Sequence, residues 1–150
     1  MEQEQITCPL SKGERILVAV DGSECSEKAV DQALSMGKIC GSSLFAVSVI
    51  EMYPESLGVA YQVEEKMEKE IRRTLEAVKE RAARENIRCE TIVHMGARPD
   101  EFIVQEARDK KVDLIVLGTH GRTGLKKLLM GSVAERVIGH APCAVLVTPP

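Results

Sequence analysis

Five short apolar runs alternate along this chain with segments of helical periodicity, and that alternation restricts the fold more than any other feature. The runs are RILVAV (15–20), SLFAVSVI (43–50), RCETIVHM (88–95), VDLIVLG (112–118) and CAVLV (143–147). Their length and β-branched content mark them as strands, mostly of the fully buried kind. After the first run, Ser23 is a good N-cap, and Glu24 and Glu27 crowd the first turn of a helix. Ala29, Val30, Ala33, Leu34 and Gly37 then recur at helical spacing, and Gly41 supplies the stop. Residues 51–58, EMYPESLG, read as a loop. A long helix follows, with Val63, Met67, Ile71, Leu75, Val78 and Ala82 on one apolar stripe. The charges around that stripe alternate in sign, as on a solvated face. In GARPDEF, Pro99 stands near the first helical position with Asp100 and Glu101 behind it, and Lys110 and Lys111 suit the C-terminus of that helix. SVAERVIGH (132–140) is the fourth helix.

Strands and helices in strict alternation, with strands this apolar, form a parallel sheet covered on both faces. The expected fold class is α/β: a single doubly wound, Rossmann-like, five-stranded parallel sheet in strand order 3-2-1-4-5. The 150 residues suit one domain. Residues 1–13 read as a loosely ordered lead, and 14–150 as the domain itself.

Several function classes lose support at this level. The net charge of -3 gives no general pull toward nucleic acid or anionic membrane. Trp is absent and aromatics are 3%, too few for base-stacking platforms. No apolar run approaches the roughly 18 residues that span a bilayer. The N-terminus carries acids and glutamines and does not resemble a signal peptide. The cysteines (Cys8, Cys25, Cys40, Cys89 and Cys143) are odd in number and show no C-x-x-C spacing. The expectation is five reduced thiols, no disulfide framework and no zinc site, in a cytoplasmic protein.

One stretch stands out chemically: GTHGRTGLKKLLMGS, residues 118–132. It leaves the carboxyl end of the fourth strand, and ligands of doubly wound sheets bind beyond such ends. Gly118 and Gly121 can adopt φ > 0 and expose backbone N–H groups as an anion nest. SVAE reads as a capping box, with Ser132 at N-cap and Glu135 at N3. The loop therefore delivers its ligand to a helix N-terminus, where phosphate is favoured. Arg122, Lys126 and Lys127 form a basic island without an acid between Asp113 and Glu135. The stretch is not a Walker A loop or a dinucleotide fingerprint, since glycines are missing at the required places. Glycines alone favour an ordinary turn-rich surface loop; the capping box and the strand end turn the reading toward a ligand site. Asp21 has two readings as well. It is either a turn residue in DGS or a polar partner for ribose, a metal ion or phosphate-bound water.

The combination resembles the universal stress protein family. GTHGRTGLKKLLMGSVAERVI is similar to that family's nucleotide-binding signature, Gly-x2-Gly-x9-Gly-Ser/Thr, through Gly118, Gly121, Gly131 and Ser132. ILVAVDGSECSEKAV resembles its first strand and turn, and CAVLVTP its last strand. The resemblance implies ATP binding. Gly118, Gly121, Gly131, Ser132 and Val133 would hold phosphates and ribose through N–H groups and the serine hydroxyl. Asp21 would lie near ribose or a divalent ion, Mg²⁺ or Mn²⁺. Ala19 and Val20 would line the base pocket, Val49 would meet the adenine edge through its backbone, and Leu117 would close the floor. The resemblance also implies a homodimer formed through the C-terminal strand; charge and composition, as above, argue against a nucleic-acid or membrane partner.

Catalysis has little support in the sequence. His120 reads as a loop or phosphate neighbour, and His94 and His140 read as strand-end and helix-end residues. Slow ATP hydrolysis is the enzymatic alternative, and a nucleotide-independent dimeric scaffold is the structural one. A receiver-type phosphorylation switch would need an Asp after the third strand and a Lys after the last, where HMGAR and TPP stand instead.

Overall fold

The computed structural model of the chain describes residues 6–52, 61–121 and 129–150. The elements run β1 (Arg15–Ala19), α1 (Glu24–Cys40), β2 (Ser43–Glu51), α2 (Tyr61–Arg84), β3 (Cys89–Gly96), α3 (Pro99–Asp109), β4 (Leu114–Gly118), α4 (Ser132–His140) and β5 (Ala144–Thr148). All strand pairings are parallel, in the order β3-β2-β1-β4-β5. The α/β class and the strand order are those expected from the alternation. The loop reading of residues 51–58 falls mostly outside the described residues.

The sheet divides the core in two because successive side chains leave opposite faces of a strand. Ile16, Val18, Leu44, Ala46, Leu114 and Val116 join Ala29, Val30 and Ala33 of α1 and Ile71, Leu75 and Val78 of α2. Leu17, Val47, Ile115 and Leu117 join Ile103, Val104 and Ala107 of α3 and Ala134 and Val137 of α4. The interiors of β1 and β4 are therefore apolar on both faces, and Ile16, Leu17, Val18, Ile115 and Val116 are fully buried. Each such side chain contributes roughly 1.5–3 kcal/mol by leaving water.

The helix ends follow local chemistry. Ser23 caps α1, its Oγ accepting from Ser26 N at 3.2 Å, and Gly41 ends it in the left-handed region at φ 66. The α2 stripe is buried from Ile71 onward, while Val63 is 56% exposed. In α3 the buried Asp100 pairs with Arg98 at 3.0 Å and lies 3.9 Å from Arg136 of α4. The Arg98 guanidinium beside it holds the Asp100 carboxyl below the usual range. No described helix is long and apolar enough to cross a membrane.

The cysteine expectation needs correction. Cys8 and Cys40 form a disulfide, with Cα atoms 4.8 Å apart. It joins the lead to the last residue of α1, a pairing that only the folded chain creates. Gly13 packs against this bridge and Leu10 against the core beneath. Cys25, Cys89 and Cys143 are free thiols, as expected for those three. Burial pushes the Cys89 thiol up to about 11. A bridge across a separation of 32 residues removes unfolded-chain entropy worth roughly 3–4 kcal/mol. Denatured, non-reduced protein should accordingly titrate three thiols, and reduced protein five. A count of five without reduction would show that Cys8 and Cys40 remain thiols.

Candidate functional site

In this strand order the chain turns to opposite faces after β1 and after β4. The loops that follow these adjacent strands diverge and leave a crevice at their carboxyl ends. A cavity of about 350 Å³ opens there. All ten residues singled out from the sequence line it. Ala19, Val20 and Asp21 come from the end of β1 and its turn, and Val49 from β2. Leu117 and Gly118 close β4, Gly121 lies in the following loop, and Gly131, Ser132 and Val133 begin α4.

Asp21 combines its two readings in one side chain. Its Oδ1 accepts from Ser23 N at 2.8 Å and closes the DGS turn. Its Oδ2 faces Gly121, where a Cβ would stand 3.0 Å away. Its own N–H donates to Ser26 Oγ at 3.2 Å, so the first turn of α1 fixes the carboxylate from behind.

The glycines act by proximity, which corrects the expectation about φ. Neither Gly118 nor Gly121 has positive φ; among described glycines, Gly22 and Gly41 do. A Cβ on Gly118 would lie 2.5 Å from Cys25 Cβ and 3.0 Å from its carbonyl carbon. A Cβ on Gly131 would lie 2.9 Å from the Thr119 carbonyl oxygen. That oxygen accepts from Gly131 N at 2.6 Å, joining the loop to the start of α4. The chain segments simply approach too closely for a side chain.

The capping box is also corrected. Gly131 is the N-cap, extended at φ -71 and ψ 156, and no side chain caps this helix. Glu135 N donates to Gly131 O at 3.0 Å, so Ser132 stands at the first helical position. Its hydroxyl is consequently not engaged as a cap. Ser132, Val133 and Ala134 all line the cavity. The first-turn N–H groups of a helix lack intrahelical acceptors and carry the positive end of its dipole. An anion entering from the cavity meets both.

Thr119 and His120 complete the polar side, with Thr119 Oγ1 2.9 Å from His120 Nδ1. His94 and His140 lie elsewhere. His94 pairs with Glu106 at 2.8 Å and stacks on Phe102, and His140 Nδ1 bonds Arg136 O at 2.9 Å. The basic island Arg122, Lys126 and Lys127 falls outside the described residues.

Sequence reasoning missed the apolar wall. Ile50, Met67, Ile71, Pro99 and Ile103 line the cavity, although most read as ordinary core. The reason is register. Ala19, the last residue of β1, pairs with Val47, but β2 continues to Glu51 alongside β3. Its overhang stands clear of β1, and Met67 and Ile71 of α2 line the same cavity. A first strand shorter than the second was the available signal.

This fold and crevice have known counterparts. The universal stress protein family model matches residues 13–149. A universal stress protein of Methanocaldococcus jannaschii is 36% identical over 137 residues, covering 89% of this chain and 80% of its own. The solved structure of the hypothetical protein MJ0577 superposes with TM-score 0.82 at 30% identity, covering 93% of this chain and 97% of that one. A universal stress protein solved in complex with cAMP has TM-score 0.69 at 25% identity, covering 93% and 98%. The chain belongs to the universal stress protein family.

Packing makes Gly131 a sharp probe of the crevice. Gly131→Ala should cost about 1–3 kcal/mol in urea denaturation, since a backbone oxygen blocks the methyl group. Gly139→Ala in the same helix has nothing within 4 Å of its Cβ and should be neutral or stabilising. Equal effects at the two positions would refute the close-approach account.

Proposed function

We propose that this chain is an ATP-binding universal stress protein, a regulatory nucleotide-binding module of the stress response. The observation that carries the reading is the meeting of Asp21, Gly118, Gly121, Gly131 and Ser132 around one cavity that has an apolar wall. Ligand pockets of this size commonly combine apolar walls with a few placed polar groups. ATP has both complements. The adenine lies against Ala19, Val20, Met67 and Ile71, with its polar edge toward the backbone of Val49. The phosphates lie at the N–H groups of Gly118, Gly121, Ser132 and Val133, and the Ser132 hydroxyl donates to a phosphate oxygen.

Asp21 then faces a polyanion, and a divalent cation resolves that repulsion. Among the described residues no group of three or more His, Cys, Asp or Glu makes a ready-made metal site. One carboxylate together with substrate phosphates and water suits Mg²⁺ or Mn²⁺, so the residues present fit an ion that arrives with the nucleotide. The ion would supply charge neutralisation between Asp21 and the phosphates.

A second reading rests on the relative solved with cAMP: the nucleotide here is a cyclic or monophosphate species. Calorimetry on protein stripped of nucleotide separates the two. ATP with Mg²⁺ should bind more tightly than cAMP, and Gly121→Val should weaken ATP at least roughly tenfold by pushing Asp21 and the loop apart. Unchanged ATP affinity in the valine variant would end the phosphate-cradle reading. Tighter cAMP binding would favour the second reading. Absence of heat with either, and of co-purified nucleotide, would leave a dimeric scaffold. Phosphate release from the same ATP sample tests slow hydrolysis.

The reading includes a cytoplasmic homodimer. β5 pairs with β4 on one side only, and an open edge of this kind is a template for another strand. A reducing cytoplasm would open the Cys8–Cys40 bridge, so the three-thiol count applies to protein oxidised after isolation. Val145→Lys, which sets an ammonium on the edge strand, should shift sedimentation from dimer to monomer. A dimer unaffected by that change would place the interface elsewhere.

A further inference from the structure

Thr148, the last residue of β5, lies outside the glycine-serine signature and does not line the cavity. It is nevertheless a polar residue only 6% exposed. Its Oγ1 donates to Cys25 O at 3.1 Å and stands 3.4 Å from Leu117 O. Its own carbonyl accepts from Thr119 N at 2.9 Å, and Thr119 O accepts from Gly131 N at 2.6 Å. Thr148 thus touches the first turn of α1 and the end of β4, and through Thr119 it reaches the start of α4. These three segments bound the crevice.

We infer that Thr148 is a positioning residue for the anion cradle, its hydroxyl locking the spacing between Cys25 and the β4 end that the glycines require. A buried hydroxyl must find acceptors, and here the acceptors belong to two different elements. Removing it takes away the donor shared between those carbonyls and releases the β5 end from α1. Gly118 pairs with Thr148 in the sheet, and the chain continues directly to Thr119. Slack at Thr148 therefore reaches the loop within one peptide unit. Nothing in this role requires contact with ligand. Its expression as affinity rests on the nucleotide-binding reading above, whereas the ordering of the cradle does not.

The test compares Thr148→Val, which keeps the shape and loses the hydroxyl, with Thr148→Ser, which keeps the hydroxyl and loses a methyl group. Amide hydrogen exchange at Thr119 and Gly131 is read without nucleotide, and ATP–Mg²⁺ affinity by calorimetry. The valine variant should exchange both amides at least roughly tenfold faster and bind ATP roughly tenfold more weakly. The serine variant should restore both to within about twofold. Unchanged exchange in the valine variant would overturn the proposal, and so would a serine variant as impaired as valine, which would mark a packing role. Should the valine variant not fold, wild-type exchange in the serine variant supports the role and accelerated exchange refutes it. If wild-type protein binds no ATP, the exchange result stands alone, and only the nucleotide reading fails.

Discussion

Gly118 lies where the first turn of α1 presses on the end of β4, and the space between them cannot hold a methyl group. The rest of the site follows from this approach. It sets Cys25 within reach of the Thr148 hydroxyl. It also draws in the Asp21–Ser23–Ser26 turn, so that a carboxylate fixed by its own helix faces the loop after β4. Interiors pack as densely as organic crystals and have no slack to absorb an added group. A side chain at 118 would tilt α1 from the sheet, and with it the buried stripe of Ala29, Val30 and Ala33.

The depth of the crevice has a separate origin. β1 has 5 residues and β2 has 9, and the difference leaves a ledge beyond the end of the central strand. Val49 and Ile50 on the ledge, with Met67 and Ile71 above, supply an apolar wall. The polar side comes from turns and a helix start. The cavity therefore has two chemically distinct ends. Neither results from one motif; each is a by-product of strand register and helix placement.

The architecture was legible in the sequence because the physics is local. Strands buried on both faces must be apolar throughout, and runs such as ILVAV and LIVL announce themselves. Asp21, Gly118, Gly121, Gly131 and Ser132 were legible because strand ends and a helix start converge at the switch point, whereas Ala19, Val20, Val49, Leu117 and Val133 were carried by the family resemblance alone. The causes assigned to individual residues fared less well. Gly118 and Gly121 looked like conformational devices, yet what they spare is space, which depends on neighbours distant in sequence. Ser132 looked like a cap, but the extended Gly131 takes that place by one residue. The fourth strand begins at Leu114, and the Asp113 carboxylate just before it accepts from Glu14 N and Arg15 N, tying the starts of β1 and β4 together. The Cys8–Cys40 pairing carries no local signal at all. It needs the end of α1 and the lead to meet, and only the assembled sheet arranges that.

Thr148 and Cys25 are separated by 123 positions, and the hydrogen bond between them closes the assembly. During synthesis, at roughly 5–20 residues per second, Cys25 emerges many seconds before Thr148 exists. Through that interval the nascent chain can form α1 and pair β1 with β2, but it cannot set the end of β4. An emerging polypeptide therefore carries an unfinished crevice, and occupancy by a ligand can stabilise only molecules whose final strand is already in place.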